Sequence, residues 1–392
     1  MSGMKRKLPQ QTLPTSTEIQ SAFTSLSTLI SVPQINYPAL TFGPLLGSGG
    51  FGTVNSGTWS SSSKIDVAIK TVNLSLEDGS TLKDFMEEVK AAWLSGKRGG
   101  EKEKEEEEEE EKGRVEEKGE EKEEEKKGSE TLITSNNDST ICRTYGISFS
   151  VLHTSKPRVH LVMEKLSVTG DLHDTIQSSE YWEYKPDRIR PKTYACLDSD
   201  GDYMLYTMSR SMKISLATQI ARSLRECKEG GVLHNDIKPG NILLLEKRGT
   251  TTSKKKKGKK KKIPEPERCR IKLIDFGLGG TPEDTEGYSC GTPGYRAPEA
   301  LKVTEYGQTS YKSDIFSAGI CILEIWMGRL WDDPDEDDEV KMRRFVVDCL
   351  RRLEKNDPPV ATLLRRCLTK EPTLRPSAKE LQKELIKIRK NS

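Results

Sequence analysis

The stretch His234-Asn235-Asp236-Ile237-Lys238-Pro239-Gly240-Asn241 stands directly before the apolar run Ile242-Leu243-Leu244-Leu245. Asp236 through Asn241 put a carboxylate, an amine and a carboxamide into six residues of loop framed by apolar segments. Two small β-like pieces, 241–245 and 270–274, flank a Lys-rich insertion, and they are expected to pair as a hairpin across it. The second piece runs straight into Asp275-Phe276-Gly277, and Gly291-Thr292-Pro293-Gly294-Tyr295-Arg296-Ala297-Pro298-Glu299 follows. A tripeptide such as Asp-Phe-Gly proves little alone; several such motifs in one order, each on a suitable element, exclude a chance arrangement.

Working toward the N-terminus, Gly47-Ser48-Gly49-Gly50-Phe51-Gly52-Thr53-Val54 fits G-x-G-x-x-G-x-V between two strand-like runs. Glycine lets backbone N–H groups approach phosphate oxygens with no Cβ in the way. In a chain with 31 glycines, a tight hairpin explains the motif as readily as a nucleotide loop. A dinucleotide fingerprint requires a helix to open at the loop, and here a strand follows. Lys70 closes Val67-Ala68-Ile69-Lys70; taken alone it is a surface lysine or a side chain aimed at the loop above. Glu88 is the acidic residue such a lysine needs, and its plain alternative is a solvent-facing helical glutamate beside Glu87.

Secondary-structure patterning divides the chain. Residues 1–40 are rich in Ser, Thr, Pro and Gln and are expected to be a flexible lead-in. Short runs rich in β-branched and aromatic residues follow around 40–47, 51–59, 64–72, 144–152 and 158–166. Phe85, Val89, Ala92 and Trp93 repeat at helical spacing and predict a helix over 81–94. From about Gly170 the pattern is mainly helical: 210–229, 311–328, 340–354, 359–369 and 376–390. The fold class is therefore α+β, a small β-rich lobe over 41–165 followed by a larger α-rich lobe over 166–390.

Composition sets outer limits. Charged residues make up 32% and apolar residues 33% of 392, for a net charge of +2. That balance hides two extremes: 101–130 holds 17 Glu against 8 Lys or Arg, and 247–270 holds 12 Lys or Arg against 2 Glu. Neither buries enough apolar surface to offset chain entropy, so an acidic insertion at 97–131 and a Lys-rich insertion at 247–269 are expected to be disordered. The clusters Lys254–Lys257 and Lys259–Lys262 admit two readings, a nucleic-acid or nuclear-import contact and a solvated loop. The richest apolar run, Ile320–Met327, is interrupted by Glu324 and is far short of a membrane span. Eight cysteines, no two closer than 18 residues, give no disulfide framework or zinc knuckle. With an N-terminus lacking an apolar secretory core, the expectation is an intracellular protein, cytoplasmic or nuclear, without membrane contact.

Taken together, residues 41–388 resemble a eukaryotic protein kinase catalytic domain of the serine/threonine type. Asp314-Ile315-Phe316-Ser317-Ala318-Gly319 resembles the family's D-x-W-S-x-G, with Phe for Trp, and Arg375 matches the late arginine that pairs with Glu299. The resemblance implies transfer of the γ-phosphate of ATP, with Mg²⁺, to Ser/Thr hydroxyls of protein substrates. It implies that Lys70, oriented by Glu88, holds the α- and β-phosphates under the loop Gly47–Gly52, and that Asp275 and Asn241 bind metal. Asp236 would accept the hydroxyl proton, Lys238 would sit on the transferring phosphate, and Thr292 would bridge the two. Val54 and Ala68 would cover the adenine from above and Leu243 from below, with Met163 as gatekeeper and Glu164 to Leu166 as hinge. The alternative is a pseudokinase, an ATP-binding or scaffold module on the same fold.

Departures from the family pattern are also legible. Asn235 stands where an arginine usually precedes the catalytic aspartate, so a phosphate on the loop 281–290 would lose its usual cationic partner. Ala92 replaces a larger apolar residue, with Trp93 beside it, and segment 176–209 is longer than usual.

Overall fold

Short runs carrying β-branched and aromatic residues build five strands: β1 (Leu40–Gly49), β2 (Gly52–Ser60), β3 (Lys64–Asn73), β4 (Thr144–Ser150) and β5 (Arg158–Glu164). They form one sheet in the order β1-β2-β3-β5-β4. A computed structural model describes residues 13–49, 52–74, 82–97, 139–150, 157–180, 194–197, 203–206, 208–245, 269–283, 291–301, 308–328, 330 and 339–391. The chain divides into two units, one made of Met1–Trp93 with Arg143–Leu166, the other of Leu94–Cys142 with Ser167–Ser392.

Register decides which side chains share a face of the first sheet. Val54 lies opposite Lys70, Lys70 opposite Leu161, and Ala68 opposite Met163. Directly opposed residues, and residues two apart on one strand, point to the same side. The other side carries Val67, Ile69 and Val162, which are wholly buried with Ile35 and Leu40 as the core. One face is therefore core, and the other carries Val54, Ala68, Lys70 and Met163.

Residues 13–40 differ from the flexible lead-in that their composition predicts, while 1–12 lie outside the described residues. Ser16–Ile30 is a helix, α1, closed by a capping box in which Thr15 and Glu18 bond reciprocally, and ended by Ser31 at φ 60°. Ile19, Phe23 and Leu26 line one side and are buried. Full burial of a side chain such as Phe23 contributes about 1.5–3 kcal/mol, which outweighs the weak helix propensity of the Ser and Thr around it. Helix α2 (Leu82–Lys97) follows β3 and buries Phe85, Glu88, Val89 and Ala92.

The second unit begins with β6 (Val168–Asp171) and α3 (Leu172–Glu180), then the hairpin β7 (Tyr194–Leu197) and β8 (Tyr203–Tyr206). Helix α4 (Arg210–Glu229) leads to β9 (Ile242–Leu245) and β10 (Arg270–Leu273), which pair antiparallel as the sequence predicts. The helices α5 (Pro298–Leu301), α6 (Tyr311–Met327), α7 (Glu339–Asn356), α8 (Pro358–Cys367) and α9 (Ala378–Lys390) complete it. No helix among the described residues is long and apolar enough to cross a membrane.

At the base of this unit Arg375 and Glu299 form a bidentate pair at 2.6 and 2.8 Å, with both side chains fully buried. Arg375 also donates to the carbonyls of Thr369, Lys370 and Lys312, and its guanidinium lies 5.0 Å over the Phe316 ring. Phe316 thus supplies an aromatic face at the position where tryptophan is expected.

Four sequence expectations lie outside the described residues: the acidic insertion except Lys97, which ends α2; the Lys-rich insertion except Cys269; Gly50 and Phe51; and much of 176–209.

Candidate functional site

Within the first unit, Lys70 is placed by the strand pairing of β3 and its ammonium meets the Glu88 carboxylate at 2.5 Å. Both are buried, at 8% and 6% exposure, so the alternatives of a surface lysine and a solvated glutamate are excluded. A buried charge needs a partner, and each supplies the other's. Val54, Ala68 and Met163 share the face of Lys70 by register. Gly47 pairs with Val54, Ser48 with Thr53, and Gly49 with Gly52. Gly52 has φ 128°, and a Cβ there would overlap the Thr71 carbonyl oxygen, so no other residue fits this close approach. Glu164 ends β5; its carboxylate accepts the Arg143 N–H at 2.7 Å, and Leu166 follows two residues later.

Within the second unit, three predicted residues, Thr292, Lys238 and Asn241, gather around the Asp236 carboxylate. Thr292 donates its hydroxyl to Asp236 Oδ1 at 2.6 Å and its backbone N–H to the same oxygen at 3.0 Å. Lys238 reaches Asp236 Oδ2 at 2.9 Å and donates to Thr292 Oγ1 at 2.7 Å. Asn241 donates Nδ2 to Asp236 Oδ2 at 3.0 Å and to the Asp236 carbonyl at 2.8 Å. Burial alone would raise the Asp236 carboxyl, but the Thr292 and Lys238 hydrogen bonds and the Lys238 charge outweigh it and hold it below the usual carboxylate range. An ionised, oriented carboxylate beside a cation can take a proton from a hydroxyl while the cation faces an anion.

Asp275 ends the segment after β10 at φ 63°, a left-handed conformation in which aspartate is tolerated. The Ile274 N–H bonds the Asn241 carbonyl at 3.0 Å, which ties the two predicted metal ligands into one backbone frame. Because Asn241 uses its amide nitrogen on Asp236, its oxygen is the atom that can serve a cation. A carboxylate and an amide oxygen are hard ligands that fit Mg²⁺. Leu243 is half-buried on β9.

Sequence motifs marked the reacting groups but not all that holds them. Asp314, buried in the first turn of α6, accepts the backbone N–H groups of His234 and Asn235 at 2.8 and 2.9 Å. The motif Asp314–Gly319 marked this carboxylate in the sequence but not the two N–H groups that it holds. His234 donates its Nε2–H to the Ile274 carbonyl, 3.1 Å away, and its ring packs 4.7 Å from Phe276. Gly291 has φ 106°, where an added Cβ would press on the Asn235 carbonyl, so it brings Thr292 up to the loop.

The protein kinase domain family model matches residues 112–385. That stretch contains the Asp236, Asn241 and Asp275 motifs; Lys70 and Glu88 precede it and enter through their geometry. Mitogen-activated protein kinase kinase 10 of Arabidopsis thaliana is 30% identical over 184 residues, covering 44% of this chain and 52% of that protein. Serine/threonine-protein kinase chk-2 of Caenorhabditis elegans is 29% identical over 228 residues, covering 56% and 43%. Serine/threonine-protein kinase 4 homolog A of Dictyostelium discoideum is 28% identical over 269 residues, covering 61% and 52%. The chain thus spans about half the length of these curated relatives. With its sheet-bearing first unit, its helical second unit and a family match over most of its length, this chain belongs to the protein kinase domain family.

Proposed function

We propose that this protein is an active kinase that transfers the γ-phosphate of ATP to serine or threonine hydroxyls of proteins. The observation that carries this reading is the closed set Thr292–Asp236–Lys238, with contacts of 2.6, 2.7 and 2.9 Å. Asp236 is fixed by two donors from Thr292 and held ionised, so it accepts the hydroxyl proton as the oxygen attacks. Lys238 neutralises charge on the phosphoryl group in transit. In the first unit Glu88 fixes the Lys70 ammonium, which holds the α- and β-phosphates, while Val54, Ala68 and Met163 give the adenine an apolar surface. The backbone of Glu164 to Leu166 reads the adenine edge.

The family generally uses ATP with Mg²⁺, and the oxygen ligands Asp275 and Asn241 fit that ion. When bound, Mg²⁺ neutralises the phosphate oxygens. Thr292 joined to Lys238, together with the names of the kinases to which the chain is similar, supports serine and threonine as acceptors. Six cysteines of the described residues are free thiols and five of them are buried, which supports a reducing, intracellular setting.

The test is incubation of the purified chain with γ-labelled ATP, Mg²⁺ and a generic protein substrate, followed by acid hydrolysis. Labelled phosphoserine or phosphothreonine is expected. No transfer despite measurable Mg-ATP binding would establish the pseudokinase reading instead.

A further inference from the structure

The N-terminal helix α1 packs on the element that carries Glu88. Phe23, wholly buried, stacks on Phe85 of α2 with ring centroids 6.1 Å apart, and meets Phe149 of β4 edge-on at 5.6 Å. One helical turn separates Phe85 from Glu88, so the contact at Phe85 restrains the turn that holds the carboxylate. Nearer the end of α2, Trp93 donates its indole N–H to the Ile30 carbonyl, the last residue of α1, at 2.8 Å. This is also where Trp93 turns beside the small Ala92.

The helix is itself anchored to the sheet. Ser27 donates to the Val32 carbonyl at 2.7 Å, which folds the chain back after the left-handed Ser31. Residues 33–35 then pair with β4: Ile35 N–H bonds the Ile147 carbonyl at 2.7 Å, and Ile147 N–H bonds the Pro33 carbonyl at 2.9 Å. Strand β4 is an edge of the five-stranded sheet, so this pairing covers otherwise open backbone groups. Gly146 permits the approach, because a Cβ there would press on the Pro33 carbonyl. One short segment is thus hydrogen-bonded to the sheet at one end and meets α2 at Phe85 and at Trp93.

We propose that residues 15–36 are a built-in clamp on α2, and that Phe23 is a positioning residue which sets Glu88 against Lys70. The inference rests on the reading of that ion pair as the holder of the nucleotide phosphates. A helix that must carry a buried glutamate to a lysine on another element needs a fixed rotation, and packing from α1 supplies it from within the chain.

The test is a double-mutant cycle in the full chain, read as kcat/KM for Mg-ATP, together with hydrogen exchange of the α2 amides. Phe23→Ala is expected to lower kcat/KM tenfold or more, and Phe23→Leu less than threefold. In a Glu88→Gln background the Phe23→Ala change is expected to add less than a factor of two, because there is no longer a carboxylate to position. Fully additive losses, or a Phe23→Ala enzyme within twofold of the parent, would overturn the proposal. Should Phe23→Ala fail to fold, Trp93→Phe removes the donor to Ile30 together with part of the ring's volume, and is expected to show the same non-additivity at a smaller scale. Exchange across 82–97 should quicken in Phe23→Ala while α4 and α6 stay unchanged; unaltered α2 exchange would reject the clamp. A parent without phosphotransfer would reject the proposed function, and the exchange measurement would still decide the clamp.

Discussion

Asn235 donates its side-chain amide to the Leu278 carbonyl at 3.1 Å from a left-handed backbone conformation, φ 63°. Asparagine tolerates that conformation better than most residues. Leu233 and Gly280 exchange backbone hydrogen bonds of 2.8 and 3.1 Å beside it. The segment after Asp275 is therefore held to the Asp236 loop by neutral contacts, in the place where a family arginine would await a phosphate.

For the kinase activity proposed above, the expected outcome is that turnover does not require phosphorylation of the following loop. The variant Thr281→Ala, Thr285→Ala, Tyr288→Phe, Ser289→Ala is expected to keep turnover on a generic substrate within about threefold of the parent. Of these four sites only Thr281 lies among the described residues. A tenfold loss restored by an acidic replacement would mean that a cation from elsewhere does the work of the missing arginine.

The Arg375–Glu299 pair should behave as a structural latch. Arg375→Met leaves a buried carboxylate unpaired, which costs about 3–5 kcal/mol, and urea denaturation should show the loss. Adding Glu299→Leu should recover part of it. Recovery is incomplete because Arg375 also satisfies the carbonyls of Thr369, Lys370 and Lys312. Equal stability in Arg375→Met and the parent would contradict the latch.

His160 gives the first unit an acid-sensitive side. Burial, with the Arg158 charge second, lowers its pKa from 6.5 to about 4. Its ring nitrogens contact the hydroxyls of Thr71 and Ser150 at 3.0 and 3.1 Å. Between these two pKa values the unfolded chain binds the proton and the folded chain does not, so stability falls as pH drops from 6.5 toward 4 and levels below. The full effect is about 3 kcal/mol. His160→Gln should flatten that slope in a series of urea melts; an unchanged slope would show that other groups set it.

Most strands and helices were legible from composition and spacing: the β-branched run in Lys64–Asn73, buried continuously from Val67 to Val72, and the helical spacing of Phe85, Val89 and Ala92 need no tertiary information. Helix α1 was not, because Ser and Thr dominate its composition. Its signal was the Thr15-x-x-Glu18 capping box ahead of Ile19, Phe23 and Leu26. Motif spacing singled out Asp236, Lys238, Asn241 and Thr292, and the resemblance implied the Thr292 bridge between Asp236 and Lys238, but the two bonds from Asn241 to Asp236 were not legible. The backbone support from Asp314, 78 residues beyond Asp236, arises only when α6 packs under the loop. Nor does sequence distance reveal that Asn235 spans to Leu278.

Deleting 99–129 or 250–264 should move the melting temperature by no more than about two degrees, since halving a loop changes closure entropy by only ~0.6 kcal/mol. The described flanks are held independently of either stretch. Thr140 donates its backbone N–H to buried Glu226 at 3.0 Å, and Arg270 pairs with Leu245 in the β9–β10 hairpin. A loss of several degrees by differential scanning fluorimetry would show that the deleted residues pack on the fold.

The claim that Asp236 is the base of an active kinase meets its most direct test in one comparison. Parent and Asp236→Asn proteins are assayed side by side for label transfer from γ-labelled ATP, with Mg-ATP affinity measured on the same samples. Asparagine can still accept from Thr292 but cannot take up the hydroxyl proton. The account predicts that Asp236→Asn lowers transfer about a thousandfold or more, while the Kd for Mg-ATP stays within about threefold of the parent's. Transfer by Asp236→Asn at a rate near the parent's, with affinity unchanged, would contradict it.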